Sequence, residues 1–151
     1  LGDVYKRQDK RYLCITLGRP RPPEGEVSCF LLKDEQKKQV SVYHRPVPGG
    51  KTAVTRYRTL ETRGKLSLLE VELLTGRTHQ IRATMADLGC PLLGDGKYGD
   101  GRANRRYGET RQALYSYRLT FDFPTDAGLL EYLRGRSFQV DQVPFRDKYF
   151  G

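Results

Sequence analysis

The feature that most constrains this chain is a change of hydrophobic period at Thr78. Upstream of it, apolar and polar residues alternate as in strands; downstream, apolar residues recur at helical spacing. "TAVTRYRTLET" sets Ala53, Thr55, Tyr57 and Thr59 against Val54, Arg56, Arg58 and Leu60. "KLSLLEVELL" follows, with Leu66, Leu68, Val71 and Leu73 supplying most of its apolar side chains. The short "TRGK" between these segments suits a hairpin turn. "RYLCITLG" reads as an earlier strand closed by Gly18, and "RPRPPEGE" as a stiff proline-rich connection. "VSCFLL" and "VSVYHR" flank the polar "KDEQKK" and are expected to pair as a hairpin, with "VPGGK" as the next turn. From Thr78 to Gly89, Ile81, Met85 and Leu88 fall at i, i+4 and i+7, which makes one helix face. Thr78 is the expected N-cap and Gly89 the stop before Pro91. "GDGKYGDGRANRRYGETR" reads as an exposed basic loop, "ALYSYRLTFDFP" as another strand and "GLLEYLRG" as a short final helix. The expected class is mixed α/β, with a largely antiparallel sheet and few helices.

Charge narrows the partners. The 151 residues suit one domain and carry 27 Lys+Arg against 18 Asp+Glu, a net charge of +9. That excess points to an anionic partner, RNA or DNA first. No helix-turn-helix or finger pattern supports DNA. There is no uncharged apolar stretch of ~18 residues, so no membrane span is expected. The opening "LGDVYKRQDKRY" has no apolar segment of a secretory signal. Cys14, Cys29 and Cys90 are too widely spaced for a CxxC metal pattern and too few for a disulfide framework. They are expected to be buried small apolar residues in a chain of the reducing cytoplasm, with no metal site.

In "GRTHQIR", Arg77, His79 and Arg82 lie within a turn and a half, and i, i+3 spacing makes His79 and Arg82 helical neighbours. Arg82 points away from the Ile81/Met85/Leu88 face, where it can hold a carboxylate or phosphate by two parallel hydrogen bonds; it can equally be part of a solvated basic face. His79 lacks the nucleophile and orienting partner that a general base needs, and reads as scaffold of the turn. The four arginines Arg102, Arg105, Arg106 and Arg111, with Tyr98 and Tyr107 among them, can track phosphates or simply be solvated.

The stretch "LLTGRTHQIRATMADLGCPLLGDGKYG" resembles the signature of the RluA-type pseudouridine synthases: a TGRTHQIR block, a helix, then G-x-P-L-x-G-D-x-x-Y-G. "KRYLCITLG" looks like the family's K-x-Y strand, "KTAVTRYRTLE" like its G-K-x-A-x-T-x-Y strand, and "ALYSYRLTFDFP" like its last core strand. The likeness covers nearly everything from Asp9 to about Thr125. It implies isomerisation of uridine to pseudouridine in ribosomal or transfer RNA, by a monomer without metal or organic cofactor. It also implies that Tyr12 stacks on the flipped base and that Arg82 pairs with the attacking aspartate. Arg77, His79, Arg102, Arg105 and Arg106 are the residues expected toward RNA. An aromatic face suits an extruded base, and an ionised carboxylate in a closed pocket needs a cation beside it.

The sequence departs from the family pattern upstream. No segment resembles the H-R-L-D-x-x-T-S-G that carries the family's aspartate, and Asp95 and Asp100 are read as loop residues. "DVYKRQ" looks like translated sequencing adapter. Residues 1–8 are therefore expected to be an adapter-derived or disordered leader, and 9–151 the C-terminal part of a catalytic domain. Such a fragment is expected to be inactive alone and to bare apolar sheet faces. Thr84 and Tyr115 stand where many members have histidine. The rival reading is an RNA-binding module without catalysis.

Overall fold

The computed structural model describes residues 8–121, 137–139 and 148–150. Among them, seven strands form one antiparallel sheet in the order β3-β2-β4-β5-β1-β6-β7. The strands are β1 (Gln8–Leu17), β2 (Glu24–Asp34), β3 (Gln39–Tyr43), β4 (Lys51–Arg63), β5 (Leu66–Leu73), β6 (Leu114–Phe121) and β7 (Ser137–Gln139). Helices α1 (Gln80–Asp87) and α2 (Gly101–Tyr107) accompany them, and residues 148–150 are also helical. The expected mixed class with few helices is what the chain adopts. "GLLEYLRG" lies outside the described residues.

Alternation decides which side of the sheet each residue meets. Register pairs Tyr12 with Val71, Cys14 with Leu69 and Tyr57 with Val71, so these share one face. Helix α1 covers that face with Ile81 and Met85, which are buried against Cys14, Tyr57, Leu69 and Val71. Farther along it, Ala83 packs with Cys29, Leu31, Val40 and Ala53. All three cysteines are free and buried, and burial pushes the Cys14 thiol up to about 12. On the other face, Leu13, Ile15, Leu66 and Leu68 pack with Leu93, Ala113 and Phe150.

Beyond that second apolar cluster, the same face turns into a charge ladder. Register sets Glu26, Arg56, Glu72 and Arg11 side by side across β2, β4, β5 and β1. Arg56 donates from Nε to Glu26 at 2.7 Å and from Nη1 to Glu72 at 3.3 Å, and Arg11 Nη2 lies 2.6 Å from Glu72. In the neighbouring row, Arg11 and Arg58 both reach Glu70, at 3.2 and 3.3 Å. Opposite charges directly across a strand pair stabilise the sheet modestly. Large apolar side chains exposed among the described residues are Leu60, Leu74 and Tyr115. The bare apolar face expected of a half-sheet therefore does not appear there.

The turns follow their local chemistry. Gly64, at φ 58°, turns β4 into β5, with Arg63 opposite Leu66. Asp34 Oδ1 accepts from the amides of Gln36 and Lys37 and closes the β2–β3 hairpin. Two expectations are corrected. The N-cap of α1 is His79 in the left-handed region, φ 54°, with no side-chain cap bond, and Thr78 lies outside the helix. The segment read as an exposed loop contains α2, because Asp100 caps the amides of Arg102 and Ala103 and Gly108, at φ 71°, ends the helix. No helix among the described residues is long and apolar enough to cross a membrane.

Candidate RNA-modifying site around Arg82

The "TGRTHQIR" block is a set of ties between the β4–β5 ends and α1. Gln80 is almost wholly buried and uses both ends of its amide. Its Oε1 accepts from the Thr75 hydroxyl at 2.8 Å and the Arg77 amide at 3.0 Å. Its Nε2 donates to the Val54 carbonyl at 3.0 Å and to Thr55 Oγ1 at 2.9 Å. Thr75 Oγ1 in turn accepts the Val54 amide. Every polar group of a buried amide is thus matched, which fixes where α1 begins.

Two residues on, Arg82 meets a carboxylate of this chain. Its Nε and Nη2 donate to Oδ2 and Oδ1 of Asp95, each at 2.9 Å. The Asp95 side chain is fully buried and that of Arg82 is 14% exposed. Asp95 Oδ1 also accepts the amides of Lys97 and Tyr98. Burial alone would raise the Asp95 carboxyl, but the Arg82 bond and those two amides outweigh it and hold the group below its ordinary range. The same pair keeps Arg82 charged. Asp95 lies in a loop, as read, and its carboxylate is the one that Arg82 holds. Asp95 is an anchor for the arginine, since its oxygens are spent on four donated bonds in a buried position. A nucleophile needs an accessible lone pair, which Asp95 does not offer.

The rest of "PLLGDGKYG" serves that anchor. Asn104, buried on α2, accepts the Gly94 amide at 2.7 Å and donates to the Asp95 carbonyl at 3.1 Å. Gly94 sits at φ 82°, and a Cβ there would lie 1.9 Å from the Arg111 carbonyl oxygen. Tyr98 places its ring 5.2 Å from the Arg82 guanidinium. Its hydroxyl accepts the Val40 amide at 2.8 Å and lies 2.8 Å from His79 Nδ1. His79, read from sequence as scaffold of the turn, is tied to this side chain. Burial first, then Arg82 and Lys97, pull its pKa down and favour the neutral ring.

The other expected site residues divide in two. Tyr12, half-buried, packs against the cluster that includes Ile81 and Met85, so it lies on the same side of the sheet as α1. Arg77 is exposed and donates from Nε to the Thr52 carbonyl. Arg102, Arg105 and Arg106 lie exposed on α2, away from the Arg82 cluster but linked to it through Asn104. Asp95, Gln80 and Asn104 were not singled out as site residues by sequence, and Tyr98 was read only as an aromatic of the basic loop. The signal for Asp95 was its place in the G-D-x-x-Y-G motif.

Comparisons with known proteins bear on the family and the fold. A family model described as RNA pseudouridylate synthase matches residues 4–87, opening inside the segment expected to be a leader. An uncharacterised RNA pseudouridine synthase of Chloroflexus aurantiacus is 39% identical over 120 residues, covering 79% of this chain and 36% of that protein. Ribosomal large subunit pseudouridine synthase D of Borreliella burgdorferi is 37% identical over 118 residues, covering 78% of this chain and 35% of that one. The chain thus spans little more than a third of the length of these relatives. The structure called human RNA pseudouridylate synthase domain containing 4 shares the fold at a TM-score of 0.69 with 23% identity, covering 93% of this chain and 60% of that one. Together with the TGRTHQIR block and its Gln80 and Arg82 ties, the match over residues 4–87 means that this chain belongs to the RNA pseudouridylate synthase family, as a member of its RluA type.

Proposed function

We propose that this chain forms the Arg82-bearing wall of a site that isomerises uridine to pseudouridine in ribosomal or transfer RNA. The observation that carries the reading is Arg82 itself, held by Asp95 through Nε and Nη2 at the edge of a buried network. A guanidinium fixed in this way keeps Nη1 available, and can hold a second, attacking carboxylate ionised without moving. Tyr12, on the α1 side of the sheet, supplies the aromatic face for the extruded uracil. Arg102, Arg105 and Arg106 neutralise backbone phosphates, and Arg77 and His79 line the approach. The reaction rearranges one nucleotide internally, so positioned side chains suffice and no cofactor is required. A monomer in the cytoplasm, with its thiols reduced and buried, fits the reading.

The test is genetic. Disrupting the gene should abolish pseudouridine at one or a few uridines of ribosomal or transfer RNA, mapped by chemical labelling. The wild-type gene should restore the modification and Arg82→Met should not. An unchanged pseudouridine map would sink the proposal. A second reading, RNA binding without catalysis, is favoured by the four exposed arginines 102, 105, 106 and 111, none of which has a carboxylate partner among the described residues. It predicts salt-dependent RNA binding with the pseudouridine map intact.

A further inference from the structure

A cavity of about 320 Å³ opens between the β2–β3 hairpin and the segment that leads into α1. Three cations from separate stretches of chain converge on it: Lys33 on β2, Lys51 at the start of β4, and Arg77. Register pairs Leu31 with Lys51, and alternation puts Lys33 on the side of Leu31, so both lysines stand on the face that α1 covers. The floor is apolar, made by buried Leu31 and Val40. Thr78 adds a hydroxyl with no partner among the described residues.

The charges in this cavity are largely unanswered. Arg77 spends Nε on the Thr52 carbonyl, which fixes the guanidinium plane and leaves its outer nitrogens without a protein partner among the described residues. Lys51 has no carboxylate partner there either. Lys33 reaches Glu35 at 3.7 Å; that carboxylate also lines the cavity, but it is 75% exposed and screened, and one acid stands against three cations. The arginines of the ladder, by contrast, are all paired with glutamates. Val40 on the floor also gives its amide to Tyr98, so the cavity borders the Arg82 cluster.

We infer that this cavity binds one phosphate group of a single-stranded RNA backbone, held by Lys33, Lys51, Arg77 and the Thr78 hydroxyl, with the attached nucleoside against Leu31 and Val40. The volume suits a small ligand. A planar arginine beside two ammonium groups is the donor set that phosphate oxygens call for. The inference rests on the RNA reading above and extends it to a second phosphate site, separate from the arginines of α2.

Two measurements on the full 151-residue chain test it. Titration with uridine 5′-monophosphate should shift the backbone amide resonances of Gly49, Gly76 and Thr78, and the shifts should vanish in the K33Q/K51Q double variant. A labelled oligouridylate should bind K33Q/K51Q several-fold more weakly, with the slope of log K against log salt reduced by about 0.7 for each phosphate no longer neutralised. Both lysines are exposed, so the variant should keep the wild-type melting temperature. Unmoved cavity amides, or wild-type oligouridylate affinity in K33Q/K51Q, would overturn the cavity site. If R105Q/R106Q lost affinity while K33Q/K51Q did not, the cavity would fall and the RNA reading would stand. If the wild-type chain bound no oligouridylate, the RNA reading would fall, and the nucleotide titration would still decide the cavity.

Discussion

The ladder on the sheet and the helix α2 are both rich in arginine, yet they are opposites electrostatically. Arg11, Arg56 and Arg58 interleave with Glu26, Glu70 and Glu72 at 2.6 to 3.3 Å across adjacent strands. Arg102, Arg105 and Arg106 stand exposed on α2 with no carboxylate against them among the described residues. The first group answers its own charge; the second leaves it for a partner. A net charge of +9 therefore says less than where the unanswered part of it lies. Arg82 is a third case, paired like the ladder but less exposed than any of its arginines.

That buried pair gives the largest expected effect. Asp95→Ala removes the carboxylate from a nearly buried guanidinium and should cost about 3 kcal/mol, read from chemical denaturation. Adding Arg82→Met should recover part of the loss, because the stranded charge goes with it. A loss of the same size in the double variant would mean that the pair is not what anchors α1. The Asp95 contribution is present above the ordinary carboxylate value of ~3.9 and disappears as the pH falls through its lower folded value. Wild type should therefore lose stability in acid more steeply than Asp95→Asn.

How much of this was legible beforehand follows from the range of the interactions. Strands show themselves because alternation is local: Ala53, Thr55 and Tyr57, which their spacing puts on one side, are all buried. The helix face of Ile81 and Met85 was equally local. The Arg82–Asp95 pair joins residues 13 positions apart through a glycine-rich turn, and no local period records it. Gln80 carries no local signal either: its partners are the Val54 carbonyl and the Thr55 hydroxyl, more than 20 positions away. Helix α2 was hidden by its glycines, although its cap signals, Asp100 and Gly108, were in plain view.

Charge reversal in the ladder comes next in size. Glu70→Lys puts a third cation between Arg11 and Arg58 and should destabilise the chain by on the order of 1 kcal/mol, since like charges opposite each other on strands repel. Stability equal to wild type would show that the ladder is ornament to the sheet. R105Q/R106Q should do the reverse: stability within ~0.5 kcal/mol of wild type, but weaker RNA binding with a shallower salt dependence. The matching ladder variant, R56Q/R58Q, should leave RNA affinity nearly unchanged. An equal drop in affinity from both pairs would erase the distinction between answered and unanswered arginines.

The smallest effect is expected at His79, and its sign can be fixed. Burial, Arg82 and Lys97 hold the folded imidazole neutral to lower pH than an unfolded histidine, which takes its proton near ~6.5. Below that value the unfolded chain binds the extra proton first, so protonation pulls toward unfolding. The contribution is thus full above about pH 6.5 and is lost as the pH falls toward the folded value. His79→Asn tests this cleanly, because asparagine tolerates the left-handed backbone at φ 54° and carries no titrating group. Its melting temperature should change less than that of wild type between about pH 7.5 and 5.5. Tyr98→Phe should destabilise at every pH, because the Val40 amide loses its acceptor. Parallel pH curves for wild type and His79→Asn would mean that the Arg82 cluster exerts no force on the ring, and that the neutral histidine is not part of how α1 is held.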